Sequence, residues 1–532
     1  MELTTGKALT FLVVLTAIVG AVALGPARAW HIGIAAVAER ISHQVPGRVV
    51  HRVPVYEVEV AQADLDSLNA DLPWSGNQQM KASLLFNGLE HEAKLRYRGL
   101  YATTHFMGNK KSFRLSLKKG NPFDPLRRVN LINPKAFNMV NDHMALWIAG
   151  SMGVAVPYDE MVHVRMNGLD YGVMELFEQI NGKFEEVRNL ASDEVPVFKG
   201  DFPPAVGREL AAPKVLWRSA SHWEYASDAD STQAKEKLAA LCMAINAKEM
   251  SDKARWDSIA AIIDVEAFLR YYAAIKLINT KHIDHYHNHW LVWDQRIQRF
   301  YPILWDPLMM FPPPGEPPYP IHDGLAYWIL RRPEWRFERD QYLYSGWKTM
   351  HADRGFATHL AAVLDRIRPS IMADANRSGV LTDHMQDVFS YGNLQYAASA
   401  DALLATASAY WDRLGAVFEV RDAHMQISGG AIVVKASTAA PITVDLQCDR
   451  AAENAGVVVE GDTIQLAQGA TTIRFELHPK AEQVGGKPGK PHAPGARYDV
   501  APLDARIHLF GLGNVRVRIM NASTGEALNA GK

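Results

Sequence analysis

Apolar and polar positions alternate with period two over residues 53–60, which predicts a strand. The same alternation predicts strands at residues 82–89, the last of them a turn, and at residues 93–98 and 112–118. Residues 161–166 and 171–177 flank Asn167-Gly168, a dipeptide suited to the positive-φ positions of a tight hairpin turn. Between these strands, residues 140–152 carry a helical pattern that ends at Gly153. The first part of the chain therefore reads as a mostly antiparallel sheet with one helix. From about residue 230 apolar positions recur every three or four residues, predicting helices at 232–247, 258–263 and 265–278, with a further pair at 355–377 and 397–417. A second predicted hairpin, residues 290–293 and 300–304, interrupts the helical region. From His424 onward short Val/Ile/Thr-rich runs are separated by Gly-containing turns, which predicts a small β-sandwich. A Gly/Pro/Lys-rich loop over residues 479–497 interrupts it.

Period two also orders the residues around the two lysines before the fourth strand. Lys111, Phe113, Leu115 and Leu117 share its apolar face, and Lys110, Ser112, Arg114 and Ser116 the other. A lysine on an apolar face is costly unless it meets an anion, which makes Lys111 the better phosphate contact. A lysine whose stem snorkels along the strand start is the alternative.

Length changes the picture only by implying several domains, since 532 residues exceed what one core can organise. The formal net charge of −2, without a concentrated basic stripe, argues against a nucleic-acid partner. Cys242 and Cys448 lie too far apart to suggest a metal knuckle or a disulfide framework, and read as two unpaired thiols. The N-terminus says more. Lys7 precedes an uncharged apolar run over residues 8–25, and Ala27-Arg28-Ala29 follows, the pattern of a secretory signal or an uncleaved membrane anchor. Export to the periplasm or outside the cell, or anchoring through this segment, is the expected location.

Candidate chemistry concentrates in one place. Asp284-His285-Tyr286-His287-Asn288 gives a carboxylate and an amide four residues apart, and the hairpin that follows runs out at Trp305-Asp306. One carboxylate to orient a hydroxyl, with an amide oxygen and a second carboxylate to hold a divalent metal, is the set that phosphoryl transfer requires. Histidines 285, 287 and 289 offer another reading, a zinc or copper site on one face of a strand, in which Asp306 would have no role.

Four segments in this order resemble the spore-coat-protein-H-like (CotH-type) atypical kinases, distant relatives of eukaryotic protein kinases. They are Arg96-Tyr97-Arg98-Gly99 with Lys110-Lys111-Ser112-Phe113; Asn167-Gly168-Leu169-Asp170-Tyr171-Gly172-Val173 running on to Glu178; Asp284 to Asn288; and Trp305-Asp306. The resemblance spans roughly residues 50–420. It implies an α+β, protein-kinase-like fold of two lobes, with a β-rich N-lobe over residues 53–200 and a helical C-lobe over 201–420. A linker (30–52) would follow the signal or anchor (1–29), and the β-sandwich (421–532) would close the chain. It implies an ATP-dependent kinase acting on a Ser or Thr hydroxyl of an envelope or extracellular protein. Asp284 would be catalytic, and Asn288 and Asp306 would hold Mg²⁺ or Mn²⁺. Lys111, paired with Glu178, would contact the α- and β-phosphates, with Glu175 as the alternative carboxylate. Arg98, or Arg96, would be a further phosphate contact, under a covering loop at residues 100–109. The Pro-rich run 311–320 would stand where kinases have an activation segment. The family has a second Asp two places after the Trp-Asp carboxylate, and here Leu308 stands there. Two rival readings go with this one: a pseudokinase serving as an envelope scaffold, and a binding protein acting through its C-terminal β domain.

Overall fold

A computed structural model describes residues 50–528 apart from short interior stretches, the longest being 100–109, 203–211, 312–320, 381–387 and 484–497. The expected signal or anchor (1–29), nearly all of the linker, the covering loop, most of the Pro-rich run and the Gly/Pro/Lys-rich loop lie outside the described residues. Among the described residues no helix is long and apolar enough to cross a membrane. The fold is α+β.

Seven strands open the chain: β1 (Val55–Val60), β2 (Met80–Phe86), β3 (Leu89–Tyr97), β4 (Phe113–Leu117), β5 (Arg128–Ile132), β6 (Asp159–Met166) and β7 (Leu169–Glu178). They close into a barrel in the order β1-β2-β3-β4-β5-β7-β6. Neighbours are antiparallel except β1 and β6, which run parallel with Val58 opposite Met166. Sequence reading expected a mostly antiparallel sheet and said nothing of closure. Closure adds the parallel seam and removes both edges, so no barrel strand keeps a row of unpaired backbone groups. Alternation fills the interior: Val58 and Val60, Leu95 and Tyr97, and Phe113, Leu115 and Leu117 form one apolar cluster. Helix α1 (Gln62–Asn69) contributes Leu65 and Leu68 to that cluster. Asn167 and Gly168 take φ of 52° and 74°, as the hairpin turn between β6 and β7 requires.

Helix α2 (Asn141–Ser151) packs in a second, larger core with α3 (Thr232–Asn246), α4 (Asp252–Ala260), α5 (Val265–Ile278) and α7 (Gly355–Ala373). The expected helix at 258–263 is displaced, because Ser251 caps α4 by accepting from Ala254 N and Ile263 bridges to Phe300. α5 has the predicted bounds. Asp264 caps its start and Asn279 ends it in the left-handed conformation. Helix α6 (Pro333–Trp347) had no counterpart in the sequence reading, and α8 (Asn393–Val417) follows α7.

Strands β8 (Val197–Gly200), β9 (Glu224–Tyr225), β10 (His289–Asp294) and β11 (Arg299–Leu304) form a separate sheet in the order β11-β10-β8-β9. β8 therefore joins the second hairpin rather than the barrel. Beyond α8, a five-stranded and a three-stranded sheet share one apolar core that includes Val434, Val444, Phe475 and Ile507. Both cysteines are buried, Cys242 on α3 and Cys448 at the end of the strand Ile442–Cys448.

Candidate active site

The second hairpin has the predicted form. Its register pairs His289 with Leu304 and Asp294 with Arg299, so Asn288 and Trp305 leave the same end of the sheet side by side. The 282–288 segment folds into this end as consecutive bends. His282 is its hub. Its Nδ1 donates to the Asp306 carbonyl at 2.8 Å and lies 3.5 Å from Asp306 Oδ2. Asn288 Nδ2 donates to His282 O at 2.8 Å and sits 3.3 Å from the same ring nitrogen. The two residues expected to hold metal thus meet against one imidazole. Burial works against the His282 cation, but the Asp306 carboxylate and carbonyl, then Asp142 and Asp284, outweigh it and raise its pKa. Asn288 (φ 65°), Asp306 (φ 49°) and Leu308 (φ 30°) are all left-handed, and for Leu308 that conformation is strained.

Asp284 faces the same segment. Its Oδ1 accepts from Tyr286 N at 2.7 Å, His287 N at 3.2 Å and His287 Nδ1 at 2.8 Å. Burial raises its pKa, yet these donors and the His287 ring prevail and hold it below the ordinary carboxylate value. Its Oδ2 has no hydrogen-bond partner among the described residues. The carboxylate is therefore ionised, oriented on one oxygen and open on the other. Among the described residues His285, His287 and His289 do not gather their ring nitrogens at one point, as the alternative metal site would need. His287 Nδ1 is engaged with Asp284 Oδ1, and His289 Nε2 with the Asp284 carbonyl at 2.6 Å.

The lysine expectation needs correcting. β4 begins only at Phe113, so its alternation does not extend back to Lys110 and Lys111. Lys110 is the fully buried one. Its Nζ bonds Asp374 Oδ2 at 2.6 Å and donates to Val173 O at 2.9 Å. Lys111 is half-buried, with its ammonium 6.0 Å from the centre of the Tyr97 ring. Nor does Lys111 pair with Glu178. That carboxylate is buried against Arg188, at 2.7 and 3.2 Å, and accepts from Tyr158 N. Arg188 competes for Glu178 because a guanidinium can bind both carboxylate oxygens. Glu178 does stand at the end of β7, as expected.

Arg98 lies with its guanidinium carbon 5.4 Å from the Trp305 ring centre, where Asp306 and Asp201 oppose the effect of burial on its charge. It lines a cavity of about 590 Å³ between the barrel and the β8–β11 sheet. Arg96, Arg98, Arg114, Arg127, Arg128, Lys183 and Lys199 line it, against four carboxylates (Glu194, Asp201, Glu224 and Asp228). Trp290, Trp305 and Tyr225 add aromatic wall. Burial, then Arg98, Arg96 and Arg128, press the Arg114 guanidinium down to about 8. Since arginine keeps its proton in proteins, this marks a guanidinium that is mainly desolvated and also crowded by like charges, both of which a bound polyanion would offset.

Residues 95–314 match the CotH kinase protein family. The matched segment contains all four motifs and all eight residues carried over with them, and the resemblance read from the sequence is thereby shown for this region. The CotH family indicates a kinase-like protein. No curated protein matches the chain.

The sequence reading missed Asp142. This residue of the first turn of α2 accepts from Leu308 N at 3.1 Å. Its neighbour Asn141 holds both backbone groups of Met309, accepting from N at 2.6 Å and donating to O at 3.1 Å. A carboxylate therefore stands beside the position where the family carries its second Asp, supplied by a helix some 166 residues earlier. Burial first, then the Asp306 charge, push Asp142 up to about 7. No spacing signal could have linked it to Trp305-Asp306.

Proposed function

We propose that the protein is an ATP-dependent kinase that transfers the γ-phosphoryl group to a Ser or Thr hydroxyl of a protein, with the cleft between barrel and helices as its active site. The observation that carries this reading is the convergence of Asn288 and Asp306 on His282, beside a cavity lined by arginines. The donor chemistry fits a divalent ion. Pinning Nδ2 to a carbonyl turns the Asn288 amide oxygen away from that bond, and Asp306 keeps a carboxylate whose side chain is 45% exposed. Two oxygen donors suit Mg²⁺ or Mn²⁺, and such an ion would neutralise charge on the phosphates when bound. The cavity residues do the positioning: Arg98 and Arg114 present fixed positive charge where a triphosphate would lie, and the tryptophans exclude water from one side. Asp284, held on Oδ1, offers Oδ2 to orient a hydroxyl and accept its proton. Lys111 would meet phosphate without its expected carboxylate partner, since Glu178 is taken by Arg188. An extracytoplasmic substrate follows from the N-terminal pattern alone.

A second reading, nucleotide binding without transfer, is favoured by Leu308 and by the three donors gathered on Asp284 Oδ1. One experiment separates them. The purified protein is incubated with γ-labelled ATP and Mn²⁺ or Mg²⁺, beside Asp284→Ala and Asp306→Ala. Label on the protein or an added acceptor, lost in both variants, supports the kinase. Metal-dependent ATP binding without labelling leaves the pseudokinase, and the absence of both rejects the nucleotide site.

A further inference from the structure

Next to that cleft, near enough for the Asp142 and Asp306 charges to act on Glu175, His143 of α2, Asp159 at the start of β6 and Glu175 of β7 converge, and one ligand atom from each lies within 4.8 Å of the others. None of the three was given a metal role by the motifs. His143 and Glu175 are buried, and Asp159 is half-buried. The His143 Nδ1 and an Asp159 carboxylate oxygen are in close contact. Glu175 is 1% exposed, and its Oε1 has no hydrogen-bond partner. Barrel register explains how it comes to be there: Glu175 stands opposite Met161 on β6 and Ile132 on β5, among apolar residues. A buried carboxylate with an orphaned oxygen, beside a second carboxylate and an imidazole, is unfavourable without a compensating positive charge or a proton.

We propose that His143, Asp159 and Glu175 bind a divalent transition-metal ion, with Zn²⁺ as the best-matched probe, at a site distinct from the nucleotide metal. One imidazole and two carboxylates are borderline donors that suit Zn²⁺ better than Mg²⁺. Zn–O and Zn–N bonds of about 2.0–2.2 Å place opposed donors at most about 4.4 Å apart, so small side-chain adjustments complete the shell. The ion would join α2 to the barrel one residue after Asp142 and two after Asn141, the pair that grips the 308–309 backbone. It would thereby steady the turn that carries Asp306. A proton shared among the same groups is the competing arrangement, and it requires no metal. The proposal does not depend on the kinase reading.

The test uses the full chain in mild detergent, stripped by chelator, without nucleotide, and titrated calorimetrically with Zn²⁺ alone. Asp306→Ala, which lacks the nucleotide metal's carboxylate, is expected to keep one tight equivalent, with an affinity comparable to that of the tightest wild-type site. Removing even an orienting partner of a metal ligand costs roughly 10–100-fold, so Glu175→Gln and Asp159→Asn should weaken binding about tenfold or more. X-ray absorption of the Zn-loaded wild type needs no variant, and should show an oxygen-rich shell with imidazole. Four results would overturn the site: no binding by wild type, unchanged binding in Glu175→Gln, loss of binding in Asp306→Ala instead, or a shell of sulfur or mainly imidazole. Should Glu175→Gln fail to fold by circular dichroism, the absorption result and Asp159→Asn decide.

Discussion

Asp142 and Lys110 are the residues whose surroundings differ most from what their neighbours in sequence suggest. Asp142 is ionised in the unfolded chain above its ordinary value of 3.8 but keeps its proton in the folded protein up to about 7. Between those values the native state binds more protons, so stability falls as pH rises through the window, and the whole penalty is present above it. Asp142→Asn retains an oxygen for Leu308 N and removes the charge. In chelated protein it should match wild type in urea midpoint below pH 4 and exceed it above pH 7, by about 1–3 kcal/mol after allowing for coupling to Asp306. A difference independent of pH would refute the assignment. Lys110 makes the opposite case. Lys110→Met strands the buried Asp374 and should cost about 3–5 kcal/mol, whereas Lys110→Met with Asp374→Leu should cost much less. Lys111→Met should leave stability nearly unchanged, as read by thermal denaturation. The reading from period-two alternation erred because a strand's start is the least legible thing about it, and because Asp374 lies 264 residues away from its lysine.

Elements whose signals are local were legible. Helix α5 is bounded by a capping aspartate and a left-handed asparagine, and the β6–β7 and β10–β11 hairpins are set by their own turns. The hairpin also made the Asn288–Asp306 meeting readable, since two strands of equal length must return their ends together. What was not legible depends on partners distant in sequence: the parallel β1–β6 seam, and the cluster drawn from α2, β6 and β7. Helix α6 escaped because charged residues such as Arg336, Arg339 and Asp340 fall on its packed side, where Arg336 meets Glu476 of the C-terminal sheet. One glycine reports on the long-range class. Gly172 on β7 has φ of 110°, and a Cβ there would come within 2.4 Å of Asp374 Oδ1. Gly172→Ala should therefore displace the end of α7 from the barrel and destabilise the protein by about 2 kcal/mol or more. Faster hydrogen exchange at Val173 N, which donates to Asp374 Oδ2, would show that this contact is the one lost.

At the scale of the whole molecule, the barrel and the β8–β11 sheet meet along a seam that is charged on both sides of the cavity. Barrel strands β3, β4 and β5 bring Arg96, Arg114 and Arg128, and β8 brings Lys199. These charges sit on separate elements, so they have no common purpose within the fold, and their mutual repulsion costs stability that a bound polyanion would return. The expected consequences for nucleotide binding differ by residue. Arg114→Gln keeps hydrogen-bonding capacity towards Asn130 and Gln179 but removes the charge. It should weaken ATP binding with or without metal, by roughly tenfold for one charge-assisted contact. It should also raise the protein's own melting temperature slightly, because three arginine neighbours no longer repel it. Asp306→Ala should do the reverse. It should abolish the gain in affinity that Mn²⁺ provides while leaving metal-free ATP binding equal or tighter, since an anion beside the phosphates is gone. Raising salt should weaken binding less than it would at an open surface, because charges lining a cavity are only partly screened. Calorimetric titration of ATP with and without Mn²⁺, on wild type and the two variants, reads all of these at once. If Arg114→Gln binds as wild type does while Asp306→Ala loses all affinity, the phosphates lie outside the arginine-lined cavity, and the cleft near Asp284 alone would have to accommodate the nucleotide.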